Sequence, residues 1–330
     1  MLRTLACILL VLAASAGEAA KSVRTFFVGN SVTDTVKYGL LQKLAESRQQ
    51  QMPWGRHMIP GAPLFGMLHH GLDVRDGRQK KAQGFVEQPY GDCVAALANH
   101  EWDALTLQPF DRRFESPEDK DPTRPQGDVA VFNTFIALAT AKSPDVQIYL
   151  YARYPRCYRG GKDVGYNKEA FAREVKAIST APRDEAAKAN VDDFYLAWNS
   201  EYKNGWGQQL ESKSYFEGLT RRIRELNPTM KKPVLMIPVG HVMAELNRRM
   251  KAGEVPGYRD IHGLYADGIH LDNVGSYLTA CTFYACLFRE SPVGLPAELY
   301  DVKDKALAAT IERTVWQVVS THPLAGLAQP

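Results

Sequence analysis

The stretch Phe26-Phe27-Val28-Gly29-Asn30-Ser31-Val32-Thr33-Asp34 runs from bulky apolar residues into small polar ones. An apolar run of this length and composition reads as a buried strand, and Gly-Asn-Ser breaks it off. A serine at such a corner has two uses. It can cap the next helix by accepting a backbone N–H bond, or it can stand as a nucleophile at the mouth of a sheet. Thr33 and Asp34 are equally suited to capping, which leaves Ser31 free for chemistry.

Outward from this stretch, apolar runs alternate with helical patterns. Thr25 to Val28 leads into the helical spacing of Tyr38 to Ala45, and Asp103–Leu107, Val146–Tyr151 and Val234–Pro238 read as further core strands. A plausible strand also precedes Ile59. Helical patterns cover Val131–Ala141, Lys168–Ile178, Tyr215–Leu226, Val242–Met250, Asn273–Arg289 and Lys303–Ser320. This alternation predicts an α/β fold with a mostly parallel sheet, helices on both faces and right-handed crossovers. Working groups in such sheets gather beyond the carboxyl ends of strands. Ser31, Gln108 and His241 fall at such ends.

At 330 residues and 45% hydrophobic content the chain can build a full core. The net charge of +3 is small, so neither nucleic acid nor an anionic membrane is implied as a partner. The first twenty residues place Arg3 before the apolar run Leu5–Leu12 and the small residues Ala13–Ala20, the order of a secretory signal. We therefore expect residues 1–20 to be a signal peptide and the protein to be exported, periplasmic or extracellular, without stable membrane insertion after cleavage. Residues 21–330 then form one domain, with a polar region around 156–213 that shapes a substrate cleft. Export permits disulfides among Cys93, Cys157, Cys281 and Cys286. The histidines His57, His69 and His70 lack carboxylates at ligand spacing and no Cys-x-x-Cys pair occurs, so no metal site is expected. No phosphate-binding glycine pattern opens a helix, and no nucleotide cofactor is expected.

A catalytic serine needs a base, and the base needs an orienting group. Tyr265-Ala266-Asp267-Gly268-Ile269-His270-Leu271-Asp272 supplies both, with Asp267 and His270 three apart and Gly268 allowing a turn between them. That spacing lets the carboxylate hold one ring nitrogen while the other faces the serine. Asn30, His241 and Trp198 are further candidates, as substrate contacts. The aromatic-polar run Trp198 to Trp206 could stack on sugar rings.

The two segments Val28-Gly29-Asn30-Ser31-Val32-Thr33 and Asp267-Gly268-Ile269-His270-Leu271-Asp272-Asn273-Val274-Gly275 resemble the first and last blocks of the SGNH hydrolases, also called GDSL-type esterases. Gly29-Asn30-Ser31 stands where that family usually has Gly-Asp-Ser. The resemblance implies a three-layer α/β/α sandwich of flavodoxin-like type. It makes Ser31 the nucleophile, His270 the general base and acid, and Asp267 its orienting residue, with no cofactor. It also implies an oxyanion hole from the N–H groups of Ser31 and Gly61 and from a third-block side chain. Here the chain departs from the family: Gln108-Pro109-Phe110 replaces the asparagine block, and Gln108 offers the same amide on a longer stem. The activity implied is acyl-ester hydrolysis. Secreted members include carbohydrate deacetylases, which with the aromatic-polar region favours O-acetyl groups on a polysaccharide. The alternatives are a lipase or thioesterase, and a non-catalytic glycan-binding protein on the same fold.

Overall fold

A computed structural model describes residues 20–69, 84–110, 113–114, 126–156, 173, 175–184, 191–202 and 211–327. The opening stretch forms β1 (Thr25–Gly29), every residue of which is buried. It pairs in parallel with β2 (Trp54–Met58) on one side and with β4 (Ala104–Leu107) on the other. β4 continues to β5 (Gln147–Tyr151) and β5 to β6 (Leu235–Ile237), all parallel. A two-residue strand, β3 (Phe85–Val86), closes the far edge antiparallel to β2. The resulting order is β3-β2-β1-β4-β5-β6. Without β3, the five parallel strands follow the flavodoxin-like doubly wound order, with its switch point at β1 and β4.

Helices cover the sheet on both faces and connect its strands. They are α1 (Tyr38–Glu46), α2 (Leu64–Leu68), α3 (Cys93–Asn99), α4 (Asp128–Lys142), α5 (Asp193–Trp198), α6 (Lys213–Leu226), α7 (Val239–Lys251), α8 (Asn273–Phe288) and α9 (Lys305–Thr321). Capping side chains account for several of the starts: Asp92, Asp192, Ser212, Asp272 and Asp304 each accept a backbone N–H in the first turn of their helix. The apolar face of α6 is Tyr215, Phe216, Leu219 and Ile223, at the spacing a helix needs to bury one stripe. α8 differs in that all its residues from Gly275 to Phe288 are buried. It is the axle of the molecule, packed against α1, α7, α9 and the 3₁₀ turn Thr33–Val36.

The strands lie within a residue or so of their expected positions. α2, α3, α5 and the edge strand β3 have no counterpart in the expectation, because each is too short to display a period. Only Arg173 and residues 175–178 of the expected helix Lys168–Ile178 are described, and they are helical. Within the region 156–213 a small apolar cluster of Val175, Ala181, Leu196 and Ala197 stands apart from the main core. Cys93, Cys281 and Cys286 are free, buried thiols, and burial raises the pKa of each. Cys157, Trp206 and the expected signal segment up to residue 19 lie outside the described residues. No helix among the described residues is long and apolar enough to cross a membrane.

Candidate active site

β1 ends at Gly29, and the chain turns at once into the 3₁₀ helix. The turn is so tight that a Cβ at position 29 would stand 2.0 Å from the Thr33 hydroxyl and 2.9 Å from Gln108 Oε1. Only glycine fits. Asn30 locks the corner with both ends of its side chain: Oδ1 accepts the Val32 N–H at 3.1 Å, and Nδ2 donates to the Ala62 carbonyl at 3.3 Å. Ser31 is thereby lifted off the sheet with its hydroxyl exposed to the other end of the chain.

That end arrives through a short β-bridge, Tyr265 with Leu271, which closes a loop around Asp267 and His270. Asp267 Oδ1 accepts the backbone N–H groups of Ile269 at 2.8 Å and His270 at 2.7 Å. Its other oxygen lies 2.7 Å from His270 Nδ1, and His270 Nε2 lies 2.9 Å from Ser31 Oγ. Partial burial pushes the Asp267 carboxyl up. The His270 and Ile269 N–H groups and the His270 ring outweigh this and hold it below the usual carboxylate range. The acid stays ionised, fixes the tautomer with the proton on Nδ1, and leaves the Nε2 lone pair to the serine. Tyr265 anchors the loop by donating from its hydroxyl to the Pro155 carbonyl at 2.8 Å. Asp272 both caps α8 and donates its N–H to the Leu264 carbonyl at 2.8 Å, so the loop is pinned to the axle helix.

Gly61 occupies a turn closed by the Ala62 N–H on the Ile59 carbonyl at 3.1 Å, with a φ of +66° that glycine tolerates. Pro60 precedes it, as a type II turn prefers. The Asn30 bond to Ala62 ties this turn to the serine corner. Gln108 lies on the other side of the serine corner, at the end of β4, and is only 1% exposed. Its Oε1 accepts the Asn30 N–H at 3.2 Å and the Thr33 hydroxyl at 2.6 Å. Its Nε2 is buried with no hydrogen-bond partner among the described residues. A buried donor left without an acceptor is costly and calls for a reason.

Several expectations are corrected. Thr33 and Asp34 do not cap a helix: Thr33 holds Gln108, and the Asp34 carboxylate accepts from Tyr38 and is paired with Arg56 at 2.9 Å. Asn30, expected as a substrate contact, is 1% exposed and serves as framework. Trp198, expected in the same role, is 2% exposed and packed among Phe194, Phe216 and His241. His241 begins α7 beyond the edge strand β6, three strands from β1, or about 14 Å at the usual strand spacing. It lines a cleft of about 350 Å³ with Phe194, Tyr195, Asn199 and Lys213, and none of Ser31, Asp267 or His270 lines that cleft. His57 is buried and its Nδ1 accepts the Cys93 N–H. The parts that sequence reading missed are Gly29, Thr33 and Tyr265. The signal for the first was present, since a glycine between a buried strand and a polar corner implies a close approach.

Among proteins of known structure, the chain is similar to a DUF4886 family protein from Bacteroides uniformis, at 14% identity and a TM-score of 0.50, covering 91% of this chain and 95% of that one. It is also similar to a protein described as a GDSL-like lipase from Parabacteroides merdae, at 13% identity and a TM-score of 0.40, covering 82% and 98%. The first likeness shows a shared fold. No family model and no curated protein matches.

Proposed function

We propose that the protein is an exported serine esterase that hydrolyses short acyl esters, with O-acetyl groups on carbohydrate as its substrate class. The observation that carries the reading is the relay Ser31 Oγ, His270 Nε2, His270 Nδ1, Asp267, closed by contacts of 2.9 and 2.7 Å. In the proposed reaction His270 takes the serine proton as Oγ attacks the ester carbonyl. The oxyanion of the tetrahedral intermediate is received by the N–H groups of Ser31 and Gly61. His270 then protonates the leaving alcohol, and afterwards activates water to release the acid. The unpartnered Gln108 amide supplies the third donor in this reading: its oxygen is fixed on the serine corner, and its N–H groups await an acceptor.

A short acyl group is favoured because the exposed large apolar side chains among the described residues, Phe85, Val191, Leu226 and Val293, come from four separate segments. A groove for a long acyl chain would gather such residues. The carbohydrate part rests on the resemblance to a family whose secreted members include carbohydrate deacetylases, and export rests on the Arg3-to-Ala20 pattern. The test is hydrolysis of p-nitrophenyl acetate by the wild type and by Ser31→Ala, followed by acetate release from acetylated xylan and pectin. Equal rates in the two proteins would refute the mechanism. Faster turnover of long-chain than short-chain esters would replace the deacetylase reading with a lipase. N-terminal sequencing of protein recovered outside the cytoplasm tests export.

A further inference from the structure

Beside the edge strand β6, three side chains from three separate segments converge. Glu217 comes from the second turn of α6, His241 from the first turn of α7, and His322 follows the last residue of α9. One ligand atom from each lies within 4.8 Å of the other two. His241 Nε2 and His322 Nε2 face the same carboxylate oxygen, Glu217 Oε1, at 3.0 and 3.7 Å. In a tetrahedral zinc site, bonds of about 2.0–2.1 Å put neighbouring ligand atoms about 3.3 Å apart, so the two separations bracket the required edge. The side chains of His322, His241 and Glu217 are 10%, 13% and 23% exposed, which shields the cluster while leaving a way in. The other carboxylate oxygen, Oε2, accepts from Arg221 at 2.8 Å, an outer contact of the kind that orients a ligand carboxylate.

Two imidazoles and one carboxylate suit zinc and its first-row neighbours. Calcium and magnesium prefer oxygen alone. We propose that Glu217, His241 and His322 form a binding site for a divalent transition-metal ion of the zinc type, with water in the fourth position. Loading it places the His322 ring proton on Nδ1. The Leu324 N–H bond to that nitrogen, at 3.2 Å, is therefore the contact the ion displaces. The bound ion ties the C-terminal segment to α6 and α7, next to where the Leu324 carbonyl accepts the Met236 N–H of β6. The ligands are scattered over more than a hundred positions of sequence, which hides them from any search for short metal-binding spacings. Neither Ser31 nor His270 contributes, so the proposal stands apart from the esterase reading.

The experiment uses the full chain, stripped with a chelator and titrated near neutral pH with zinc chloride by calorimetry. A parallel titration uses cobalt(II) chloride, followed by its visible absorption. The expected result is one ion per chain, a tetrahedral cobalt band and a thermal midpoint that rises with either metal. Glu217→Gln, His241→Gln and His322→Gln should each weaken zinc binding by roughly 100-fold or more, since even outer-sphere partners cost 10–100-fold. Ser31→Ala should bind as the wild type does. Failure of the wild type to take up either metal stoichiometrically overturns the proposal, whatever the variants do. So does uptake that survives unchanged in a folded His241→Gln/His322→Gln double variant.

Discussion

Asp267 carries three hydrogen bonds, two from the backbone of its own loop and one from the ring it orients. Replacing it with asparagine keeps the shape but offers an N–H where the ring needs an acceptor. On the proposed mechanism Asp267→Asn lowers kcat by about 10⁴-fold, and Ser31→Ala by about 10⁶-fold, with ester affinity little changed. Steady-state kinetics on p-nitrophenyl acetate check both. Gln108 admits a sharper test. Gln108→Glu preserves an oxygen for the Asn30 N–H and the Thr33 hydroxyl while removing the unpartnered amide hydrogens. If those hydrogens meet the oxyanion, kcat falls by roughly 10²–10³ with KM held. A drop in folding stability with unchanged kcat would instead mark Gln108 as purely a brace for the corner.

Among the elements, the 3₁₀ helix Ile261–Leu264 leads directly into the Asp267–His270 loop and is held by a histidine. His262 Nε2 lies 2.6 Å from Asp193 at the start of α5, and Nδ1 lies 3.2 Å from Asp260. Burial pushes its pKa down, but the Asp193 hydrogen bond and the charges of Asp193, Asp192 and Asp260 outweigh this and raise it above the usual histidine value. A raised folded pKa stabilises the protein fully below the unfolded value of about 6.5, and that stability is lost as pH climbs through the folded value. Urea melts across this window should show stability falling with pH in the wild type, and His262→Gln should flatten that slope. Element by element, what was legible in the sequence had a period or a strong composition. Four of the five parallel strands, β1, β4, β5 and β6, are largely apolar runs because both faces are covered, and they read clearly. β2 carries Gly55, Arg56 and His57 and showed only as a strand somewhere before Ile59. Ser31, Asp267 and His270 were legible because the last two sit in one turn. Asn30, Gln108 and Trp198 were not: a side chain's burial depends on what the tertiary fold lays over it, and no local pattern carries that information.

At the level of the whole molecule, α8 passes through the core while its N-terminal cap fastens the histidine loop. From Gly275 to Phe288 it has no exposed face on which to absorb a change. Leu278, fully buried on this helix, should cost 2–5 kcal/mol, in order of magnitude, when cut to alanine. The urea midpoint should fall at constant slope, and on the proposed mechanism the rate of ester hydrolysis per folded molecule should stay the same. A fall in that rate at full folding would mean that the helix tunes the site as well as supporting it.

Ser31 and His270, the proposed nucleophile and base, are 239 residues apart in the chain, one just past the first strand and one just before the last long helices. Synthesis delivers the amino-terminal part first. A ribosome that has completed β1 has made the serine corner, yet the imidazole that would activate it does not exist until most of the polypeptide has followed. On the proposed mechanism, turnover is therefore silent throughout translation and begins with one of the longest-range contacts the chain makes. Ester hydrolysis then becomes a clock for folding, and regain of activity after dilution from urea times the closure of the chain's two ends rather than the formation of its sheet.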